Sequence, residues 1–197
     1  MDRHVTLEET GAASTPSPVA VPRTAPSSAG KQTSASLRAE PQAQGSVETT
    51  IAIGADHGGY ELKEMLKGYL GELGYKVVDC GTGSTSSVDY PDFAFAVAQL
   101  VAQGHAWRGI VVDGAGIGSC ITANKVPGVR AAMCYDQATA VNSREHNNAN
   151  VLTLGAGLIG PNLARQIVKA WLETSFGGGR HARRVDKIMD VERRFLK

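Results

Sequence analysis

The sequence predicts an α/β domain in which a parallel sheet of five strands is covered by helices on both faces. From Thr49 onward, short apolar runs rich in β-branched residues alternate with segments of helical periodicity. Asp, His and Gly residues follow directly after several of these runs, at the positions where open parallel sheets bind ligands. Residues 1–48 contain no Phe, Trp or Tyr, so the fold is expected to begin after them.

Five segments have the length and composition of buried strands. In chain order they are residues 49–56, 76–81, 109–114, 131–136 and 151–156. Helical patterns separate or follow them at residues 60–74, 93–104, 118–126, 143–147, 161–176 and 181–196. The last of these helices is basic and has no strand after it, which predicts packing across the domain or onto another chain.

Local residues mark several helix ends. Gly74 is expected to end the first helix, and Pro161 suits the start of a later one because a helix start needs no amide hydrogen there. Asp92 is expected to cap the second helix, with Asp89, Tyr90 and Pro91 forming a turn before it.

Composition divides the chain into a tail and one domain. Five of the eight prolines lie in residues 1–48, which lack large apolar side chains to offset the entropy of ordering, and this predicts disorder. Residues 49–197 are expected to form a single domain. A short docking segment at the start of the tail could recruit the domain to a larger assembly, although plain disorder is the simpler interpretation.

Charge and cysteine content narrow the class of protein. The net charge is +1, and no basic run carries interleaved aromatics, so a nucleic-acid partner is not expected. The three cysteines form no C-x-x-C pair, which argues against a disulfide framework or a zinc site. No apolar stretch approaches the roughly 18 residues of a membrane helix. These features predict a cytoplasmic protein without a metal or an organic cofactor.

The segment 113–119, DGAGIGS, is the strongest candidate for a binding loop. Its alternating glycines let a backbone approach a ligand closely, and the amides of the helix that follows attract anions. It matches neither the dinucleotide fingerprint nor a Walker A loop. A tight turn that serves only helix packing is the alternative.

Other polar residues are expected at the same edge of the sheet. Asp56 and His57 follow the first strand, and His146 lies near a helix end where an imidazole could move a proton near neutral pH. Arg180, His181, Arg183 and Arg184 form a basic cluster that suits one phosphate group. Together these groups describe a cleft for a small phosphorylated polyol, and acid and base groups without a metal set suggest proton transfer.

Five segments carry a resemblance to a known family. GADHGGYELK, DYPDFA, GAGIGSCITANKVPGVRAA, SREHNNANVLTLG and GGRHARRV occur in this order. They resemble the type B ribose-5-phosphate isomerase and galactose-6-phosphate isomerase family over about residues 50–194. The resemblance implies a Rossmann-like three-layer sandwich, and a homodimer or homotetramer with the active site shared between two chains.

The resemblance also implies a reaction and a set of site residues. The reaction is metal-independent aldose–ketose isomerisation through a cis-enediolate, most simply of ribose 5-phosphate to ribulose 5-phosphate in the pentose phosphate pathway. His146 would open the furanose ring with Asn147 nearby. Contacts to the substrate would come from Asp56, His57, Tyr90, Arg130, Arg180 and Arg184, and the oxyanion would be held by the amides of Gly114, Gly116 and Gly118.

The chain departs from the family pattern at the catalytic base. Many members have Cys at position 113 and Thr or Ser at 115, where this chain has Asp113 and Ala115, and another branch has a Glu base where Ser119 stands. Asp113 could be the base if burial raises its proton affinity, or it could only orient the sugar. Two alternatives to the pentose reaction follow: an isomerase of another four- to six-carbon sugar phosphate, or a binder that has lost the usual base.

Overall fold

The computed structural model describes residues 49–195 of the 197-residue chain. The expected disordered tail and its suggested recruiting role lie outside the described residues. Within the described range, strands and helices alternate in the order β1 Thr50–Ala55, α1 Tyr60–Glu72, β2 Lys76–Asp79, α2 Tyr90–Ala102, β3 Arg108–Asp113, α3 Ile117–Ala123, β4 Ala131–Met133, α4 Gln137–Glu145, β5 Val151–Gly155, α5 Pro161–Glu173 and α6 Arg180–Phe195.

The five strands form one parallel sheet, as expected, and their order in the sheet is β2-β1-β3-β5-β4. Ala55 of β1 pairs with Val112 of β3, and Asp113 pairs with Gly155 of β5. The carboxyl ends of the three central strands are therefore level. Asp56, Asp113 and Gly155 lie along the same edge, which is where a parallel sheet binds its ligands.

Alternate residues of each strand pack on opposite faces of the sheet. Ile51 and Ile53 of β1 join a core with Leu66 of α1 and Trp171 of α5. Ala52 of β1 joins a second core that contains Ala94, Val97 and Ala98 of α2. Both faces are covered, as predicted, because the period of two sends neighbouring side chains into different layers.

The start of α2 differs from the sequence-based expectation. Asp92 is not the cap: the helix begins at Tyr90, Asp89 holds the N-cap position, and Asp92 lies in the first turn. Pro91 causes the difference, because its missing amide hydrogen is tolerated in a first helical turn, where no intrahelical acceptor exists. Tyr90 is consequently fixed to a helix end instead of belonging to a loose turn.

The boundaries expected at Gly74 and Pro161 hold, whereas two others differ. The helix expected over residues 143–147 spans Gln137–Glu145, because Asp136 caps it six residues earlier, and the strand expected over residues 131–136 ends at Met133. Gly74 ends the first helix with a positive φ of 84°, and α5 begins at Pro161. Within residues 49–195, no helix is long and apolar enough to cross a membrane.

Candidate active site

The loop after β3 is organised around the side chain of Asp113, which is only 5% exposed. One carboxylate oxygen accepts hydrogen bonds from the amides of Ala115, at 2.9 Å, and Gly116. The other accepts from the amide of Ser119 at 3.0 Å and from its hydroxyl at 2.5 Å. The carboxylate therefore ties the loop and the first turn of α3 to the strand that precedes them.

The same loop is fastened to β5. The Ala156 amide donates to the Asp113 carbonyl at 2.8 Å, and the Gly157 amide donates to the Gly114 carbonyl at 3.0 Å. The Thr153 hydroxyl donates to the Gly116 carbonyl at 2.8 Å. Gly116 has a φ of 79°, a left-handed conformation that favours glycine. These bonds fix the backbone path of the loop on both sides of Gly116.

The amides of the loop differ in what they bind. The Gly116 amide donates to Asp113, so it is already occupied. In residues 49–195, the amides of Gly114, Ile117 and Gly118 have no hydrogen-bond acceptor. Two of the three glycine amides expected to hold an oxyanion are thus available, and the Ile117 amide joins them.

Asp56 and His57 lie beside this loop. Asp56 is buried, and one of its oxygens accepts a hydrogen bond from the Gly59 amide at 3.0 Å. A Cβ placed on Gly58 would lie 3.5 Å from that oxygen and 3.7 Å from the Gly114 nitrogen, so Gly58 separates the carboxylate from a free amide. The exposed His57 has its Nδ1 3.2 Å from both the amide nitrogen and the carbonyl oxygen of Val88.

Tyr90 covers the start of α3. A Cβ placed on Gly118 would lie 2.5 Å from the tyrosine ring, so only glycine leaves room for this contact. The ring is 39% exposed and therefore reaches solvent beside the Gly118 amide. We call Asp56, His57, Tyr90, Asp113 and the loop amides the loop group.

A second set of predicted residues surrounds His146 at the end of α4. Its ring stacks on that of His181, with centroids 4.1 Å apart and planes at 9°. Its Nδ1 lies 2.9 Å from the Asn142 side-chain nitrogen, and Asn147 donates to the Asn142 carbonyl at 3.3 Å. Arg180 Nε lies 3.4 Å from His181 Nε2. We call His146, Asn147, Arg180 and His181 the histidine group.

His181 is the site residue that sequence reasoning missed, because it was assigned only to the basic cluster. It is 8% exposed, and its Nδ1 is buried without a hydrogen-bond partner among the described residues. Burial lowers its pKa, and the nearby His146, Arg180 and Arg184 lower it further. The ring is therefore biased toward its neutral form. Its position after Arg180 hinted at phosphate binding, but only the fold brings it against His146.

The remaining arginines occupy different surroundings. Arg184 is exposed on α6. Arg130 donates through Nε to the Asn148 carbonyl at 2.9 Å, and its Nη1 lies 3.6 Å from the Met189 sulfur. With Asn147 it lines a cavity of about 530 Å³ between α6 and the end of α4.

The loop group and the histidine group form two separate networks of hydrogen bonds and ring contacts among the described residues. In the part of the chain that the structure describes, no hydrogen bond, ion pair or ring contact joins a member of one group to a member of the other. One group provides free amides and a carboxylate, and the other provides imidazoles and a guanidinium. Each group carries part of the set of acids, bases and donors that the sequence predicts for the site.

Comparison with known proteins agrees with this chemistry. The family model for Ribose/Galactose Isomerase matches residues 51–188. Ribose-5-phosphate isomerase B of Escherichia coli is 44% identical over 144 residues, which are 73% of this chain and 97% of that protein. D-erythrulose-4-phosphate isomerase of Pectobacterium atrosepticum is 46% identical over 140 residues, which are 71% and 92% of the two chains.

A solved structure extends the likeness to three dimensions. Ribose-5-phosphate isomerase B of Clostridium thermocellum superposes with a TM-score of 0.74 at 51% identity, covering 75% of this chain and 99% of that one. Fold, site and likeness together define a sugar-phosphate isomerase that interconverts an aldose and a ketose. The chain belongs to the Ribose/Galactose Isomerase family. The expected family, fold and enzyme class are confirmed, while the roles of individual site residues remain predictions.

Proposed function

We propose that this isomerase converts ribose 5-phosphate to ribulose 5-phosphate through a cis-enediolate. The observation that carries the proposal is the set of free amides at Gly114, Ile117 and Gly118 beside the Asp56 carboxylate. Preorganised backbone donors aimed at a developing oxyanion are usually the largest single contribution to such catalysis. The names of the Escherichia coli and Clostridium thermocellum relatives support this substrate.

The first step proposed is opening of the furanose ring by His146. Its ring is partly exposed and stacks on the ring of His181, whose lowered pKa favours a neutral imidazole beside it. Asn147 lies next to His146 and contacts the opened sugar. A stacked, hydrogen-bonded imidazole is held in one orientation, which proton transfer to the ring oxygen requires.

In the second step a carboxylate base removes the proton from C2 of the open chain and returns it to C1. The enediolate oxygen that forms between the two transfers accepts hydrogen bonds from the Gly114 and Gly118 amides. Asp56 binds sugar hydroxyls and Tyr90 closes the rim of the cleft. The phosphate binds to His57, Arg180 and Arg184, and Arg130 makes a further substrate contact. Two roles are open for Asp113: it is this base, or it takes no part in the proton transfer and a neighbouring carboxylate is the base.

The division of the site supports a homodimer, or a homotetramer built from such dimers, in which one chain's loop group faces its partner's histidine group. The proposed phosphate ligands His57 and Arg180 belong to different groups, and no hydrogen bond, ion pair or ring contact joins the two groups among residues 49–195. Helix α6 also exposes Ile188, Val191 and Phe195, which are 48, 50 and 77% exposed. Their spacing places them on one helical face, as an interface between copies requires.

Mixing two inactive variants tests the shared site. His146→Ala and Asp56→Asn chains should each lose turnover. After they are unfolded and refolded together, random pairing restores about a quarter of wild-type activity, since half the dimers are mixed and one of their two sites is intact. Recovery of no activity, with dimers confirmed by ultracentrifugation, would contradict a shared site.

Substrate length is tested by comparing kcat/KM for four-, five- and six-carbon sugar phosphates. The Pectobacterium atrosepticum relative, named for a four-carbon substrate, makes a tetrose phosphate the main alternative. Highest kcat/KM with ribose 5-phosphate supports the proposal, and a higher value with erythrulose 4-phosphate replaces it. Binding of these compounds without turnover of any would favour a sugar-phosphate binder that has lost its base.

The proposed chemistry needs no metal ion or cofactor, and this is tested directly. Dialysis against EDTA should leave turnover of ribose 5-phosphate unchanged, whereas a loss restored by a divalent cation would require a different mechanism. A cytoplasmic location is also proposed, supported by three free cysteines that suit a reducing compartment. Fractionation of cells that produce the protein would check it.

A further inference from the structure

We propose that Asp113 is a positioning residue that shapes the oxyanion loop, and that it is not the proton-transferring base. This inference rests on the proposed isomerase function. Its basis is the complete use of the carboxylate by donors of its own loop.

The first argument is the number of acceptor positions. An ionised carboxylate has about four lone-pair positions. Asp113 receives four hydrogen bonds, from the amides of Ala115, Gly116 and Ser119 and from the Ser119 hydroxyl. A base must direct a lone pair at the C2 hydrogen of the substrate. In this arrangement Asp113 has no lone pair left for the C2 hydrogen, and the residue is only 5% exposed.

The Asp113 carboxylate also fixes the backbone of the loop that follows β3. By accepting from Gly116 and Ser119, it fixes the peptides on both sides of Ile117 and Gly118. The amides of Ile117 and Gly118, like that of Gly114, have no acceptor among residues 49–195. Asp113 therefore decides which amides meet the enediolate. The Gly116 amide is removed from the expected set, and the Ile117 amide is added.

The third argument is the contrast with Asp56 on the neighbouring strand. One Asp56 oxygen accepts from Gly59, and the other has no hydrogen-bond partner within the described residues. The two carboxylates at this edge therefore differ in how many of their oxygens are occupied by hydrogen bonds from the protein. Asp113 is saturated by the protein, while Asp56 keeps an oxygen for the substrate.

The critical variant is Asp113→Asn, measured with two ligands. A phosphorylated aldonohydroxamate has a planar anionic head that mimics the enediolate, and ribitol 5-phosphate has the phosphate and hydroxyls without it. In either orientation the asparagine NH2 would face a backbone amide that needs an acceptor, from Ser119 on one side or Ala115 and Gly116 on the other, so the loop loses its shape. We expect hydroxamate affinity and kcat/KM to fall together, each by about 100-fold, as when one oxyanion donor is lost. Ribitol 5-phosphate affinity should be unchanged.

A base would give the opposite result. Removing a base stops turnover but leaves the hydroxamate bound as well as before, or more tightly because a negative charge has gone from beside an anion. Abolished turnover with unchanged or improved hydroxamate affinity would therefore overturn the proposal.

Ser119→Ala keeps the test decisive if Asp113→Asn fails to fold. Ser119 is fully buried and cannot reach substrate, and the change removes one of the four bonds to Asp113. We expect a smaller, again parallel, fall in hydroxamate affinity and kcat/KM. Faster turnover with unchanged hydroxamate affinity would indicate a base freed from a competing donor, and would overturn the proposal.

The two levels of inference can fail separately. If the wild-type chain turns over no sugar phosphate, the proposed function fails. The ratio of hydroxamate affinities between wild type and Ser119→Ala still decides the role of Asp113. If the wild type isomerises ribose 5-phosphate but the variants keep full hydroxamate affinity, the positioning role alone fails.

Discussion

Gly59→Ala perturbs the point where the β1–α1 turn meets the end of β3. A Cβ on Gly59 would lie 2.2 Å from the Val112 carbonyl oxygen and 2.6 Å from its carbon. Normal contacts between such atoms are roughly 3.5 Å, so something must move by about 1 Å. Both clashing atoms are strand backbone, which cannot turn aside as a side chain can. Overpacking of this kind costs about 1–3 kcal/mol of unfolding free energy.

Gly68→Ala in the middle of α1 is the matched control. No atom lies within 4 Å of a Cβ placed there, and its φ is not positive. The same chemical change should therefore stabilise the fold by about 0.8–1 kcal/mol through helix propensity. The two alanine variants should differ by about 2–4 kcal/mol in opposite directions from wild type.

Urea denaturation measures the unfolding free energy of both variants. Both are measured at one protein concentration, because the stability of the proposed oligomer would depend on it. Thermal unfolding should shift by roughly 2–4 °C for each kcal/mol. kcat/KM should fall in Gly59→Ala, since Asp56 and the Gly114 amide flank the adjacent Gly58, and should not change in Gly68→Ala. A Gly59→Ala protein as stable as Gly68→Ala would refute the argument from close backbone contact.

Three further outcomes are expected. The pKa of His181 lies below its ordinary value of 6.5, so the unfolded chain binds a proton at a higher pH than the folded chain does. The unfolding free energy should therefore fall as the pH drops from 6.5 toward the lower pKa of the folded state. Urea midpoints measured across this pH range should fall in the wild type and change less in His181→Phe. Lys63→Met should lower unfolding free energy by about 1–3 kcal/mol, because Lys63 is 1% exposed and its amino group lies 2.7 Å from Asp79; Lys67→Met, at a side chain 30% exposed, should cost less in the same denaturation assay, and an equal cost would contradict the role of burial. Deleting residues 1–48 should leave turnover of ribose 5-phosphate intact; loss of folding by circular dichroism would contradict the predicted domain boundary.

The different costs expected for the two lysine variants have a physical basis. Burial tends to raise the pKa of Asp79, but hydrogen bonds from Lys63 and Lys67 outweigh it and hold that pKa below its ordinary range. Lys63 is the buried member of the group, so its removal leaves Asp79 without the partner that water cannot replace. Lys67 lies nearer solvent, where water compensates for a lost ion pair.

Some parts of the site could be predicted because they depend on local pattern. The glycine loop could be predicted because the apolar run of residues 109–112 leads directly into alternating glycines, and the parallel sheet places the loop beside Asp56. The prediction that Asp92 caps α2 was wrong. A proline is tolerated in the first turn of a helix, so Pro91 lies inside α2 and the helix begins at Tyr90.

The sequence by itself determined the parallel sheet, the edge where ligands bind and the kinds of groups gathered there. These follow from periodicity and from the few residues that tolerate a strand end or a left-handed turn. Only the tertiary structure decided which groups are free to act. It satisfied Asp113 with four donors, occupied the Gly116 amide, stacked His181 on His146 and, within residues 49–195, formed no hydrogen bond or ring contact between the loop group and the histidine group. Each of these outcomes depends on the path of the folded backbone. A hydrogen bond or a ring stack needs two groups at a set distance and angle, and only the fold sets the distance between groups on different elements.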